Sequence, residues 1–307
     1  MGLGILCSGQ GGQTPEMFQA LAGFGATADD LAPAAQGLGL SADALLSAPL
    51  SIDLHANAVA QPAIAGYAMT AWSLLSRHLP SPVLVAGYSL GEVVACGVSG
   101  MIDTAPLMAL VAARARLMDA EVAAPQGMLA LNGAQPETFQ VIARDHGLSV
   151  AIINGPDHVV LGGLAADVAQ AEQAALQAGV PTVRVLPVTV ASHTPVLKGA
   201  VGPFAAELAR AGVKSPSVPV LAGIDGDAVL SVERLMDVLP RQIAEPIRWA
   251  DCMEQLAARG VTAVLELGPG GSLTKMLNDA LPDMPARALA DFRTVSGVAA
   301  WVDRQLG

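Results

Sequence analysis

The residues best equipped for chemistry lie in Gly87-Tyr88-Ser89-Leu90-Gly91, a G-x-S-x-G pentapeptide. A serine hydroxyl is a weak nucleophile at neutral pH and acts only when a neighbouring base takes its proton. Five histidines are available: His55, His78, His146, His158 and His193. His78 and His146 fall at predicted helix ends, where surface or capping roles suffice, and His158 follows a turn. His193 closes the apolar segment Val188-Thr-Val-Ala-Ser192, and strand ends are where catalytic groups gather in open α/β sheets. Ser89 as nucleophile and His193 as base form a pair that attacks an acyl carbonyl and leaves an ester on the serine. The chain order also admits a hydrolase, with Asp157 as the acid between serine and histidine.

Such a serine needs a strand, a sharp turn and a helix to lift it from the sheet. The apolar run Val83 to Ala86 reads as the strand, and Glu92 to Met101 as the helix. A side chain at Gly87 or Gly91 would crowd the turn. The backbone N–H of Leu90, at the helix start, can face a developing oxyanion, helped by the helix dipole. A second glycine-rich stretch, Gly9-Gln-Gly-Gly12, lacks both the third glycine of a dinucleotide loop and the lysine of a P-loop.

The rest of the chain must position these groups. Its 307 residues are 52% hydrophobic and 14% charged, enough for a large aliphatic core. A net charge of −11 without a Lys/Arg run argues against nucleic acid or an anionic membrane as partner. Cys7, Cys96 and Cys252 are odd in number and far apart, without metal-ligand spacing. They read as reduced thiols in a cytoplasmic protein with no metal and no bound cofactor. The first residues lack the basic region and apolar core of a signal peptide. The uncharged stretch 56–76 is broken by Asn57, Gln61 and Pro62, so a buried core helix starting near Pro62 is expected rather than a membrane span.

From Met128 to Val190 the pattern runs β-α-β-β-α-β, the order of a ferredoxin-like unit. The expected fold is therefore α/β. A large α/β-hydrolase-like subdomain with a parallel sheet spans 1–124 and 194–307, and a small ferredoxin-like subdomain, 125–193, is inserted in it.

Seven segments, in order, carry a family resemblance: Ser8-Gly-Gln-Gly-Gly-Gln13, Gly87-Tyr-Ser-Leu-Gly-Glu92, Arg114-Ala-Arg-Leu-Met118, Asn154-Gly-Pro, Ala191-Ser-His193, Gln242-Ile-Ala-Glu-Pro-Ile-Arg-Trp249 and Glu266-Leu-Gly-Pro-Gly270. Together they resemble the malonyl-CoA:acyl carrier protein transacylases across almost the whole chain. The resemblance implies that Ser89 takes the malonyl group as an ester and that His193 is its base, then the acid for the leaving thiol. It implies an oxyanion hole from the N–H groups of Gln10 and Leu90, and a backbone carbonyl at Gln242 that orients the imidazole. Arg114 is implied as the partner of the malonyl carboxylate, with Asn154 and Tyr88 lining the cleft. A guanidinium suits that task, because its planar fork matches a carboxylate and keeps its charge when buried. Arg116, two residues on, faces elsewhere on a helix.

Two segments depart from the housekeeping pattern. Tyr88 replaces the usual histidine, and Cys7-Ser8 replaces an aromatic and a proline. The Gly-Tyr-Ser elbow is similar to that of the transacylase (epsilon) subunit of malonate decarboxylase. That similarity implies malonyl-CoA as substrate and the decarboxylase's carrier protein as partner. Transfer to the carrier of fatty-acid or polyketide synthesis is the alternative, and a serine thioesterase or hydrolase the alternative of another class. Arg77, Lys198, Arg241, Arg248 and Lys275 are candidates for meeting an acidic carrier.

Overall fold

The strands of the chain form two sheets, one of six and one of five. Runs apolar on both faces suit parallel strands covered by helices. The computed structural model describes residues 2–307; Met1, where the large subdomain was expected to begin, lies outside them. The strands are β1 (Gly2–Cys7), β2 (Leu84–Gly87), β3 (Gln126–Asn132), β4 (Ser149–Ile153), β5 (His158–Leu164), β6 (Thr182–Val185), β7 (Val220–Leu221), β8 (Ala228–Val229), β9 (Ile247–Arg248), β10 (Val261–Leu267) and β11 (Ala286–Ala288). The helices are α1 (Met17–Ala20), α2 (Ala28–Leu38), α3 (Ala42–Ser47), α4 (Asn57–Leu75), α5 (Leu90–Val98), α6 (Thr104–Ala120), α7 (Pro136–Asp145), α8 (Ala165–Gln177), α9 (Lys198–Arg210), α10 (Val232–Arg241), α11 (Trp249–Ala258), α12 (Ser272–Ala280) and α13 (Val295–Leu306).

The first sheet has the order β11-β10-β1-β2-β7-β8, parallel except for the antiparallel edge strand β8. Every residue of β1 and β2 is buried. Successive side chains serve opposite faces. Leu3, Ile5 and Cys7 join a core with α4, α5 and α6, while Leu6 joins a second core with α11, α12 and the other sheet. The second sheet has the order β6-β3-β5-β4-β9. Its first four strands pair antiparallel in the ferredoxin-like order expected. A fifth strand, β9, arrives from far along the chain and pairs parallel with β4, tying the two sheets together.

The fold is the mixed α/β one expected, with two local corrections. Helix α4 begins at Asn57, not near Pro62, which lies inside it. An internal proline costs about 3 kcal/mol. The turn before the proline is held by packing despite that cost: Asn57, Ala60 and Gln61 are buried there, and Asn57 Nδ2 donates to the Ala115 carbonyl (3.2 Å). Strand β6 stops at Val185, not Val190. Pro187 has no N–H for a ladder, so the chain leaves the sheet before His193.

Candidate active site

The carboxyl ends of β1, β2 and β10 point to the junction with the second sheet, and the elbow lies there. Ser89 is the N-cap of α5, with φ 55° and ψ −112°. Such a backbone costs a non-glycine residue about 1–3 kcal/mol and persists only where its surroundings enforce it. They do so here by close approach. A Cβ on Gly87 would collide with the backbone of Gly91, and one on Gly91 with the Cys7 carbonyl. Both glycines are demanded by sterics, as the turn argument expected.

His193 is 1% exposed, and its Nε2 lies 2.7 Å from Ser89 Oγ. Its Nδ1 lies 2.5 Å from the backbone oxygen of Gln242. A carbonyl only accepts, so Nδ1 carries the proton and Nε2 offers its lone pair to the serine hydroxyl. Burial above all, then the nearby Arg114 charge, lowers the imidazole pKa to about 3, against the opposing pull of the Gln242 carbonyl. The ring is neutral at neutral pH. His193 has φ 62°. Its N–H donates to the Ile243 carbonyl (2.9 Å), and the Ala191 N–H before it donates to Gln126 Oε1 (2.9 Å).

Arg114 projects from α6 and is 1% exposed. Its Nη2 donates to Gln242 Oε1 at 3.0 Å and, weakly, to Ser89 Oγ at 3.4 Å. Its Nη1 donates to Gln61 Oε1 at 2.9 Å, and Nε has no partner among the described residues. Burial brings the guanidinium pKa down to about 10, so it remains charged at neutral pH. Arg116 is exposed, as helix geometry expected.

Gln10 lines a cavity of about 200 Å³ with Ser89, His193 and Met128. Neither its N–H nor that of Leu90 donates to an acceptor among the described residues. The loop carrying Gln10 is held at its base. Ser8 Oγ donates to Glu266 Oε1 (2.7 Å), and the same buried carboxylate accepts from the N–H groups of Leu273 (3.3 Å) and Thr274 (2.7 Å). Tyr88 packs edge-on against Trp249, and its hydroxyl donates to Asn154 Oδ1 at 3.1 Å. That bond joins the elbow to the second sheet.

A model of the acyl transferase domain matches residues 5–296. The chain belongs to that family. It is 32% identical over 294 residues to the malonyl CoA-acyl carrier protein transacylase of Mycobacterium bovis, covering 94% of this chain and 96% of that protein. An acyl carrier protein S-malonyltransferase from Vibrio cholerae superposes with a TM-score of 0.88 at 30% identity, covering 97% of this chain and 100% of that one. A malonyl-transacylase solved in complex with a type II polyketide-synthase acyl-carrier protein gives a TM-score of 0.90 at 27% identity, covering 98% and 99%.

In this acyl transferase the expected site residues Ser89, His193, Arg114 and Gln242 meet in one hydrogen-bonded group. Gln10 and Leu90 flank the same serine. Asp157 does not join them: the atom facing His193 Nδ1 is a backbone carbonyl, which leaves no place for the acid of a hydrolase triad. Two partners of Arg114 and Gln242 were missed by the sequence reading. Gln61 was read only as an interruption of an apolar helix, yet such a buried amide was itself a signal. Glu92 was read only as the end of the elbow motif and the start of the helix after it. It is buried, and its Oε2 accepts from Gln242 Nε2 (2.7 Å) and Gly223 N–H (2.9 Å).

A wider cavity of about 690 Å³ shares Tyr88, Leu186, Ser272 and Met276 with the first, and Lys275 lines it. Arg241 and Arg248, candidates for carrier contact, are engaged with Asp237, Glu245 and Asp251. The three cysteines are free and buried. Among the described residues no helix is long and apolar enough to cross a membrane, and no His/Cys/Asp/Glu group could hold a metal.

Proposed function

We propose that this acyl transferase moves a malonyl group from malonyl-CoA to the phosphopantetheine-type thiol of an acyl carrier protein, through an ester on Ser89. One observation carries the reading. A buried guanidinium lies beside the nucleophile, and its hydrogen-bond partners are all neutral oxygens. A cation so placed is completed by an anionic acyl group, and a malonyl carboxylate lies within reach of the carbonyl that Ser89 would attack.

His193 Nε2 takes the Ser89 proton as Oγ attacks the thioester carbonyl carbon. The carbonyl electron pair moves onto oxygen, facing the N–H groups of Gln10 and Leu90. When the tetrahedral species collapses, the carbon–sulfur bond breaks and His193 returns the proton to the CoA sulfur. Malonyl-Ser89 remains. The carrier thiol then gives its proton to His193 and attacks the ester, and Ser89 recovers its hydrogen as the malonyl thioester leaves. Arg114 holds the carboxylate throughout. The second sheet would wall the cleft from water, favouring transfer over hydrolysis.

The names of the relatives favour a carrier-protein transacylase of the fatty-acid or polyketide kind. A second reading, the transacylase subunit of malonate decarboxylase, rests on the likeness of the Gly87-Tyr88-Ser89 elbow to that subunit's. Intact-protein mass spectrometry after malonyl-CoA tests the chemistry. One malonyl group per chain should appear, discharge onto a holo-carrier protein, and persist in water without it. Prompt release of malonate with no carrier present would make the protein a hydrolase. Discharge onto one carrier class and not the other chooses between the two readings.

A further inference from the structure

The side-chain amide of Gln242 must present its oxygen, and not its nitrogen, to Arg114. If it turned over, an N–H₂ group would face the guanidinium, and two donors would oppose each other at the wall of the acyl site. An amide has no intrinsic preference between the two orientations, so the surrounding acceptors decide. The Nε2 end donates to the Ser89 carbonyl (2.9 Å) and to Glu92 Oε2 (2.7 Å), the shorter bond going to the carboxylate. Glu92 is itself fixed. It sits on the first turn of α5 and is fully buried. The Gly223 N–H, just beyond β7, holds the same oxygen, and a Cβ on Gly223 would lie 2.7 Å from it.

We propose that Glu92 is a positioning residue for acyl-group selection. The place of its Oε2 locks the Gln242 amide, and the locked amide holds Arg114 3.0 Å from Gln242 Oε1 and beside the Ser89 hydroxyl. On the opposite flank Gln61 is locked in the same way, its Nε2 donating to Asn57 Oδ1 (2.6 Å) so that its oxygen meets Arg114 Nη1. Glu92 touches neither the thioester nor the carboxylate. The inference rests on Arg114 receiving the acyl carboxylate, and it concerns the location of an acceptor atom rather than its charge.

Two conservative variants separate location from charge, and both keep a polar side chain at the buried position. Glu92→Gln keeps an acceptor oxygen in place without the charge. Glu92→Asp keeps the charge and withdraws the oxygen by one methylene. The readout is the ratio of kcat/KM for malonyl-CoA to that for acetyl-CoA, with a carrier protein as acceptor. The ratio should stay within about threefold of wild type for Glu92→Gln and fall about tenfold or more for Glu92→Asp, the scale of a weakened hydrogen bond to a charged group. The reverse pattern would overturn the proposal, as would an equal loss with both donors or no change in either variant. If the wild-type protein itself shows no malonyl preference, the carboxylate reading of Arg114 falls. Glu92 is then judged by the structure of the Glu92→Asp variant, where an Arg114–Gln242 contact retained at its wild-type length would contradict the positioning role.

Discussion

Two buried glutamates stand behind opposite walls of the site, and they are held differently. Glu266 has both oxygens engaged, by the Ser8 hydroxyl and by two N–H groups at the start of α12. Glu92 takes both of its hydrogen bonds on one oxygen, and the other has no partner among the described residues. Burial raises its pKa to about 7, despite the lowering effect of the Gln242 and Gly223 bonds and of Arg114. The first glutamate pins the loop that carries Gln10. The second belongs to the chain of side chains that sets a cation. One wall should therefore govern the rate with any acyl group, and the other should govern which acyl group is taken.

The largest effect tests what both walls serve. Ser89→Ala should remove the malonyl-enzyme altogether, read by intact mass, and lower transfer by about a thousandfold or more. Arg114→Ala should then divide the walls. Loss of the cation should cost malonyl transfer about a hundredfold, on the order of a broken buried pair, while acetyl transfer falls far less; paired kcat/KM values read this, and equal losses would erase the distinction. Glu266→Gln should act on the other wall. It keeps one acceptor oxygen and places an N–H₂ against backbone or hydroxyl donors, costing about 1–3 kcal/mol of stability. Its thermal midpoint should fall, and both donors should slow by the same factor. Tyr88→Phe removes one neutral hydrogen bond between the sheets. It should cost about 1 kcal/mol in urea unfolding and leave the malonyl-to-acetyl ratio unchanged.

The smallest effect in the wild-type protein is on pH. His193 is held down to about 3, so between its ordinary 6.5 and that value the unfolded chain binds a proton that the folded one refuses. Stability is lost there as pH falls. Glu92 is raised from 4.5 to about 7, so in that window the folded chain binds the extra proton and stability is gained as pH falls. The two oppose each other between 6.5 and 4.5, where urea midpoints should change little. His193→Asn should unmask the glutamate, and stability should then rise as pH drops from 7 to 4.5.

Much of the architecture was legible because it follows from local pattern. An apolar run marked β2. The spacing of glycines marked the elbow, and the β-α-β-β-α-β order marked the second sheet. Short strands were less legible: β9 contributes only Ile247–Arg248 and pairs with a strand far away in the chain. Helix α4 started early because packing outweighed the proline at position 62. The serine, the imidazole and the guanidinium were legible because their chemistry is distinctive. Gln61, Glu92 and the side chain of Gln242 were not, because a buried amide or carboxylate reveals its purpose only through the atoms it meets. Gln242 was expected for its backbone carbonyl alone, whereas its amide also joins Ser89, Glu92 and Arg114.

The central claim is that a single group of side chains holds both ends of a malonyl unit, and a structure of the acylated enzyme tests it most directly. After brief exposure to malonyl-CoA, the ester should sit on Ser89 Oγ, its carbonyl oxygen facing the N–H groups of Gln10 and Leu90 and its carboxylate meeting the Arg114 guanidinium through paired hydrogen bonds. An acyl group on another residue, or a carboxylate turned away from Arg114 into solvent, would contradict the account.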